Sequence, residues 1–115
     1  MRILVVDDDP LAGEMAAAIL EEAGHACLRV ENGMEALETL AEAQDIDLVI
    51  SDLNMPLLSG LDLFQELRSQ GIATPFVLLT GDDPEPLMNG APGLAGCLMK
   101  DISLEETLPV LVSRL

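Results

Sequence analysis

Aromatic side chains are nearly absent. Phe64 and Phe76 are the only two, and there is no Trp or Tyr among the 115 residues. The core must therefore be aliphatic, built from Leu, Val, Ile, Met and Ala, and at 50% hydrophobic residues it has ample material. Basic residues are the second shortage: five Lys and Arg stand against 21 Asp and Glu, a net charge of −16. Such a surface repels phosphate backbones and excludes nucleic-acid binding by this domain, while it suits basic or metal partners. Much of this charge reads as a solvated acidic face. Its self-repulsion costs stability that a bound cation would relieve. Cysteine is scarce too. Cys27 and Cys97 lack CxxC spacing, lie in strand-like segments and read as small apolar residues, which leaves no disulfide framework. Long apolar runs are missing: the first stops at three aspartates, and none approaches the roughly 18 residues of a membrane span. A cytoplasmic protein without membrane contact is expected.

What is present is alternation. The length sets one domain, residues 1–115. Ile3 to Val6, Ala26 to Val30, Asp47 to Ser51, Thr74 to Leu79 and Gly96 to Met99 read as strands. Between them lie helical patterns. Asp9 with Pro10 starts the first, whose spacing selects Leu11, Met15, Ala18, Ile19 and Ala23 as an inner face, and Gly24 ends it. Asn32 with Glu35 starts the second, with Met34, Leu37 and Leu40 inward. Ser59 opens the third through Leu61, Phe64 and Leu67, closed near Gly71. Ser103 with Glu106 starts the last, where Pro109 predicts a kink or a late start. The segment DDPEPLMNGAPGLAG holds Pro84, Pro86 and Pro92, so the fourth helix is expected to be short or irregular, one or two turns. Strands alternating with helices predict a doubly wound, five-stranded parallel sheet, and the right-handed crossover rule gives the order 2-1-3-4-5.

Functional groups gather at the carboxyl ends of strands in such sheets. Here those ends carry Asp7 and Asp8, Asp52, Thr80 and Lys100. Each has an ordinary reading alone: a helix-start carboxylate, a loop cap, a local turn bond, a surface lysine. Together, at four strand ends, they describe a site for a divalent metal and a phosphoryl group. Three converging carboxylates repel one another without a cation. Mg2+, with Mn2+ as an alternative, takes hard oxygen ligands and often uses only one or two carboxylates. A carboxylate can act as nucleophile and form an aspartyl-phosphate. Lys100 and the metal supply positive charge, and the Thr80 hydroxyl can donate to a phosphoryl oxygen.

The stretches VVDDDP, DLVISDLNMPLLSG, VLLTG and MKD resemble the receiver domain of response regulators in two-component signalling, across essentially the whole chain. The resemblance implies a flavodoxin-like fold and a domain that catalyses only its own phosphorylation and dephosphorylation, not a conventional enzyme. It implies Asp52 as phosphoacceptor, Asp8 and Asp52 as side-chain metal ligands, Asp7 acting through a metal-bound water, and the Asn54 backbone carbonyl as a further ligand. Thr80 and Lys100 take the switch and phosphate-pairing roles, and Pro56 and Gly60 shape the loop, Gly60 by allowing its backbone turn. The implied partners are a sensor histidine kinase or His-containing phosphotransfer protein, a downstream protein or attached output domain, and a second copy in a homodimer. Asn54 and Asp82, two residues beyond Asp52 and Thr80, imply an accessible and labile phosphoryl group.

Three positions depart from that family. Asp101 follows Lys100 where Pro is usual, so the Lys100–Asp101 peptide is expected trans. Cys97 stands where an aromatic switch residue is common. The fourth helix is broken, which predicts a rearranged partner face. Two other readings stay open. A haloacid-dehalogenase-like phosphatase would use Asp7 and Asp9 as DxD, but Leu11 stands where Thr or Val is needed. A receiver-like interaction module would no longer take phosphate.

Overall fold

The computed structural model describes residues 1–43, 45–90 and 92–115. Ten elements alternate: β1 Arg2–Val6, α1 Pro10–Glu22, β2 Ala26–Val30, α2 Gly33–Glu42, β3 Leu48–Asp52, α3 Gly60–Ser69, β4 Phe76–Thr80, α4 Glu85–Gly90, β5 Gly96–Met99 and α5 Leu104–Ser113. The strands form one parallel sheet in the order β2-β1-β3-β4-β5, as expected. Asp52 and Thr80 are the last residues of β3 and β4, one position further into the sheet than the apolar runs alone suggest.

Both faces of the sheet are covered. Ile3 and Val5 of β1, Leu48 and Ile50 of β3, and Val77 and Leu79 of β4 pack against Ala16, Ala17 and Leu20 of α1 and Leu108 and Val112 of α5. The alternate residues Leu4, Val6, Val49, Phe76 and Leu78 pack against Ala36 and Leu40 of α2 and Leu63, Phe64 and Leu67 of α3. Burial on both faces explains why the strands read as continuous apolar runs.

Two helix faces differ from the sequence expectation. In α1 the inner face is Gly13, Ala16, Ala17 and Leu20, whereas Leu11 and Met15 are exposed. The helix is apolar nearly all round, so spacing fits more than one stripe, and the small residues let the helix sit close: a Cβ on Gly13 would lie 3.4 Å from Asp7 Cβ. In α2, Gly33, Ala36 and Leu40 are buried and Met34 is exposed, because Leu58 fills the space against Gly33.

The helix starts are largely as read. Asp9 accepts from the Leu11 N–H, Asn32 from the Glu35 N–H, and Ser59 forms a full capping box with Asp62. The last start is different: Ser103 makes no capping bond, and its hydroxyl goes to Asp101. Helix α5 runs from Leu104 through Pro109 without a late start. The carbonyl that loses its partner belongs to Glu105, an exposed residue open to water. Helix α4 has six residues, within the one or two turns that its prolines permit. No cis peptide occurs among the described residues, so Lys100–Asp101 is trans.

Gly60 is required for a different reason from the one its sequence context suggests. Its φ is not positive. A Cβ there would lie 2.3 Å from the Asp52 carbonyl oxygen and 2.7 Å from Leu78 Cδ2. The backbone of α3 passes directly over the strand end that carries Asp52. Gly60→Ala is expected to cost about 3 kcal/mol, the upper end for overpacking, since the clash is with backbone. Urea denaturation of the variant and parent measures this, and an unchanged midpoint would contradict the close approach.

Candidate functional site

Sheet order decides which strand ends meet. β1 and β3 are neighbours, with Val6 beside Ser51, so Asp7 and Asp8 leave β1 next to Asp52. β4 lies on the other side of β3, and β5 beyond it, with Thr80 beside Met99. Carboxylate oxygens of Asp7, Asp8 and Asp52 all lie within 4.8 Å of one another. Asp7 and Asp52 are buried and Asp8 is exposed.

Lys100 enters from the end of β5. Its Nζ donates to Asp7 Oδ2 at 2.8 Å and lies 3.3 Å from Asp52 Oδ1. Lys100 thus pairs with both carboxylates, and the shorter contact is to Asp7. The Asp7 carboxylate is fully engaged, since Oδ1 accepts the Asp9 N–H at 2.9 Å. The backbone of Lys100 is fixed too, its N–H donating to the Thr80 carbonyl at 2.7 Å.

One ammonium cannot neutralise three carboxylates, and the pKa shifts follow. Burial raises the Asp52 carboxyl above its ordinary 3.8; the charge on Lys100 opposes the rise, while the charges on Asp7 and Asp8 add to it, and the net shift is upward. Burial works against the charged form of Lys100, but the hydrogen bond and charge of Asp7, joined by Asp52, outweigh it and hold the ammonium above its ordinary 10.5.

Thr80 is fully buried and its Oγ1 accepts the Asp82 N–H at 3.1 Å, the local turn bond that its sequence context allowed. No hydrogen bond joins it to Asp52 among the described residues. Asn54 lies in the loop after β3 with an exposed side chain. Asp82 is exposed as well.

Two features, one in β3 and one in the loop after it, escaped the sequence. Ser51 is fully buried beneath the site and its Oγ donates to the Asp52 carbonyl at 2.9 Å. Leu57 has φ +70, and the Leu58 N–H donates to the Pro56 carbonyl at 2.8 Å across it. This is a γ-turn of the strained sign, about 1–3 kcal/mol for a residue other than Gly. The Leu57 side chain is fully exposed. Nothing in an MPLLSG string marks its first Leu for that conformation.

The donor set suits a hard divalent cation. Trans ligands at the ~2.1 Å of Mg2+ span about 4.2 Å, close to the 4.8 Å envelope of the three carboxylates. Asp8 is exposed, and no hydrogen bond from its side chain occurs among the described residues. Softer ligands are absent from this group, since both thiols are elsewhere and burial pushes that of Cys27 up to about 11.

A doubly wound parallel sheet with an acid group and a lysine at its carboxyl edge defines a flavodoxin-like domain with one functional edge. Residues 3–111 match the response regulator receiver domain family. The chain belongs to that family, the phosphoacceptor domains of two-component systems. It is 35% identical over 121 aligned residues to the sensor histidine kinase RcsC of Salmonella typhimurium, covering 99% of this chain and 12% of that one. Identity to the two-component response regulator PhoP of Pseudomonas aeruginosa is 37% over 108 residues, covering 92% of this chain and 48% of that one. The chain thus spans half or less of the length of these relatives. Among solved structures, the chemotaxis response regulator CheY4 of Vibrio cholerae superposes with a TM-score of 0.86 at 32% identity, covering 98% and 96% of the two chains. The response regulator TrrA of Thermotoga maritima, in complex with Mg(2+)-BeF, also gives 0.86 at 32% identity, covering 99% and 98%. No helix among the described residues is long and apolar enough to cross a membrane.

The shifted groups set a pH dependence. Folded Asp52 holds its proton to higher pH than the unfolded chain does. Its contribution to stability therefore falls as pH rises from about the ordinary 3.8 through the raised folded value, and is constant above. The Lys100 contribution has the opposite origin: it is full below 10.5 and lost as pH rises through the folded value. In metal-free buffer at neutral pH, Asp52→Asn is expected to melt at a higher temperature than the parent. The gap should narrow as the pH falls towards 4. Thermal melts across pH check this, and a less stable variant at neutral pH would contradict it.

Proposed function

We propose that Asp52 accepts a phosphoryl group, in a step that depends on a divalent metal, from a sensor histidine kinase or a His-containing phosphotransfer protein. One observation carries the reading: Lys100 Nζ lies between Asp7 and Asp52, inside a group of three carboxylates that converge within 4.8 Å. In the transfer, the bond between phosphorus and the donor imidazole nitrogen breaks as a bond to an Asp52 carboxylate oxygen forms. The imidazole leaves with the electron pair.

Asp8, Asp52 and the Asn54 carbonyl would hold Mg2+, or Mn2+. Asp7, with its oxygens engaged by Asp9 and Lys100, acts through water. The bound metal supplies positive charge to the phosphoryl oxygens. Lys100 supplies the second positive charge and, once Asp52 carries the phosphoryl group as an acyl phosphate, follows that group. The Thr80 hydroxyl, whose Oγ1 accepts the Asp82 N–H, can donate its own O–H to a phosphoryl oxygen, as the switch hydroxyl. The exposed Asn54 and Asp82 leave the phosphoryl group open to water, which supports a short-lived phosphoprotein and self-catalysed dephosphorylation, with no other enzymatic activity.

An apolar groove of about 660 Å³ runs beside Lys100 between α1 and the start of α5, lined by Met15, Ile19, Ile102 and Leu104. It supports docking of a phosphodonor helix close to Asp52. The output goes to a downstream protein or an attached domain. With α4 reduced to six residues, β5 and α5 offer most of the remaining face on that side, including the exposed Met99 and Val110, where a homodimer would also form. The charge of −16 keeps nucleic acid out of the domain's own contacts.

The test uses the purified protein, Mg2+ and acetyl phosphate, read by intact mass. The parent is expected to gain one phosphoryl group and Asp52→Ala none; chelation of the metal should abolish the gain. A parent that binds Mg2+ yet gains no mass would favour an interaction module. Repeated turnover of a phosphate ester would favour a phosphatase.

A further inference from the structure

The residue after Lys100 is a carboxylate, adjacent in sequence to the one ammonium that the site depends on. Asp101 nevertheless forms no ion pair with Lys100 among the described residues. Its Oδ1 accepts twice, from the Ser103 N–H at 2.9 Å and from the Ser103 hydroxyl. Its carbonyl accepts the Leu104 N–H at 3.1 Å, and its own N–H donates to the Met99 carbonyl at 3.0 Å. Asp101 thereby closes the turn from β5 into α5. Its charge sits against the first amides of a helix, where the dipole favours it.

Ser103 shows the same arrangement from the other side. An S-x-x-E start predicts that its hydroxyl caps α5, yet Ser103 has helical backbone angles and caps nothing. Its hydroxyl is turned back to Asp101 instead. The turn also leaves Ile102 99% exposed, so apolar burial does not hold these residues in place; hydrogen bonds at Asp101 do.

We propose that Asp101 and Ser103 are positioning residues for Lys100. Ser103 holds the Asp101 carboxylate away from the ammonium, and the turn they close aims Lys100 Nζ between Asp7 and Asp52. Removing the Ser103 hydroxyl leaves the Asp101 carboxylate held by one backbone N–H alone, and the loosened charge competes for Lys100 at the expense of the buried pair. For phosphoryl uptake this rests on the phosphoacceptor reading above; for the placement of Lys100 it does not.

Lys100 is the only lysine in the chain, so acylation of its amine by acetic anhydride, read by peptide mass mapping, reports on it alone apart from the N-terminus. The variants are Ser103→Ala, Asp101→Asn and the two combined. Ser103 and Asp101 are both exposed, and circular dichroism confirms folding of each variant. Ser103→Ala is expected to speed acylation of Lys100 several-fold and to slow phosphorylation by acetyl phosphate by roughly tenfold, as a small misplacement of a charge-stabilising group does. Its affinity for Mg2+ should be unchanged. Asp101→Asn keeps an acceptor oxygen and should resemble the parent. The combined variant should return to parental rates, because no charge is left to compete. A loss in the combined variant as large as in Ser103→Ala would overturn the inference and leave the hydroxyl as support for the turn alone. Parental behaviour of Ser103→Ala in both assays would overturn it too. If the parent takes up no phosphoryl group, acylation alone decides: faster labelling with rescue upholds the positioning role while the phosphoacceptor reading falls.

Discussion

Three carboxylates converge on one crevice with a single ammonium to balance them, and most of the molecule is arranged around that imbalance. Asp7 and Asp52 are buried, so neither can be relieved by bulk water. Lys100 compensates in part, more closely with Asp7 than with Asp52. Burial, joined by the charges on Asp7 and Asp8, raises the Asp52 carboxyl despite the opposing charge of Lys100. In a chain with 21 acids and five basic residues, no other cation from the protein itself reaches this group among the described residues.

The structure beneath Asp52 is correspondingly stiff. The strand is buried along its whole length, Ser51 donates to the Asp52 carbonyl from below, and α3 passes over the same carbonyl so closely that only Gly60 fits. Beyond it the chain turns through a strained Leu57. Rigid packing lies under the carboxylate and strain in the loop above it: the strand end fixes the oxygens, and the strain is held at the exposed Leu57.

The opposite edge of the sheet is less constrained. Cys97 fills the β5 position with a small, buried side chain, and α4 is a helix of six residues. The aromatic pair, Phe64 of α3 and Phe76 of β4, has ring centroids 5.4 Å apart and packs in the same core cluster as Cys97. Cys97 and the short α4 lie outside the group formed by Asp7, Asp8, Asp52 and Lys100.

The alternation of apolar strands with capped helices, the sheet order, the short α4 and the placing of Asp7, Asp8, Asp52, Thr80 and Lys100 at one edge were legible in the sequence, because short continuous apolar runs, period-3.6 patterns, prolines and the crossover rule are local or nearly so. Helix faces were less so: α1 is apolar all round, and only contact with the sheet selects Ala16, Ala17 and Leu20 over Leu11 and Met15. The reason for Gly60, the γ-turn at Leu57, the hydroxyl of Ser51 under Asp52 and the diversion of Ser103 from capping to Asp101 also came only from the tertiary structure. Each depends on a distance between groups whose positions other elements set. By itself the sequence determined which chemical groups stand at the ends of which strands. The packing of α3 over β3 and of β5 beside β4 decided how closely those groups meet, and that Lys100 lies nearer to Asp7 than to Asp52, because charge balance in a buried site is a matter of ångströms that no residue pattern encodes.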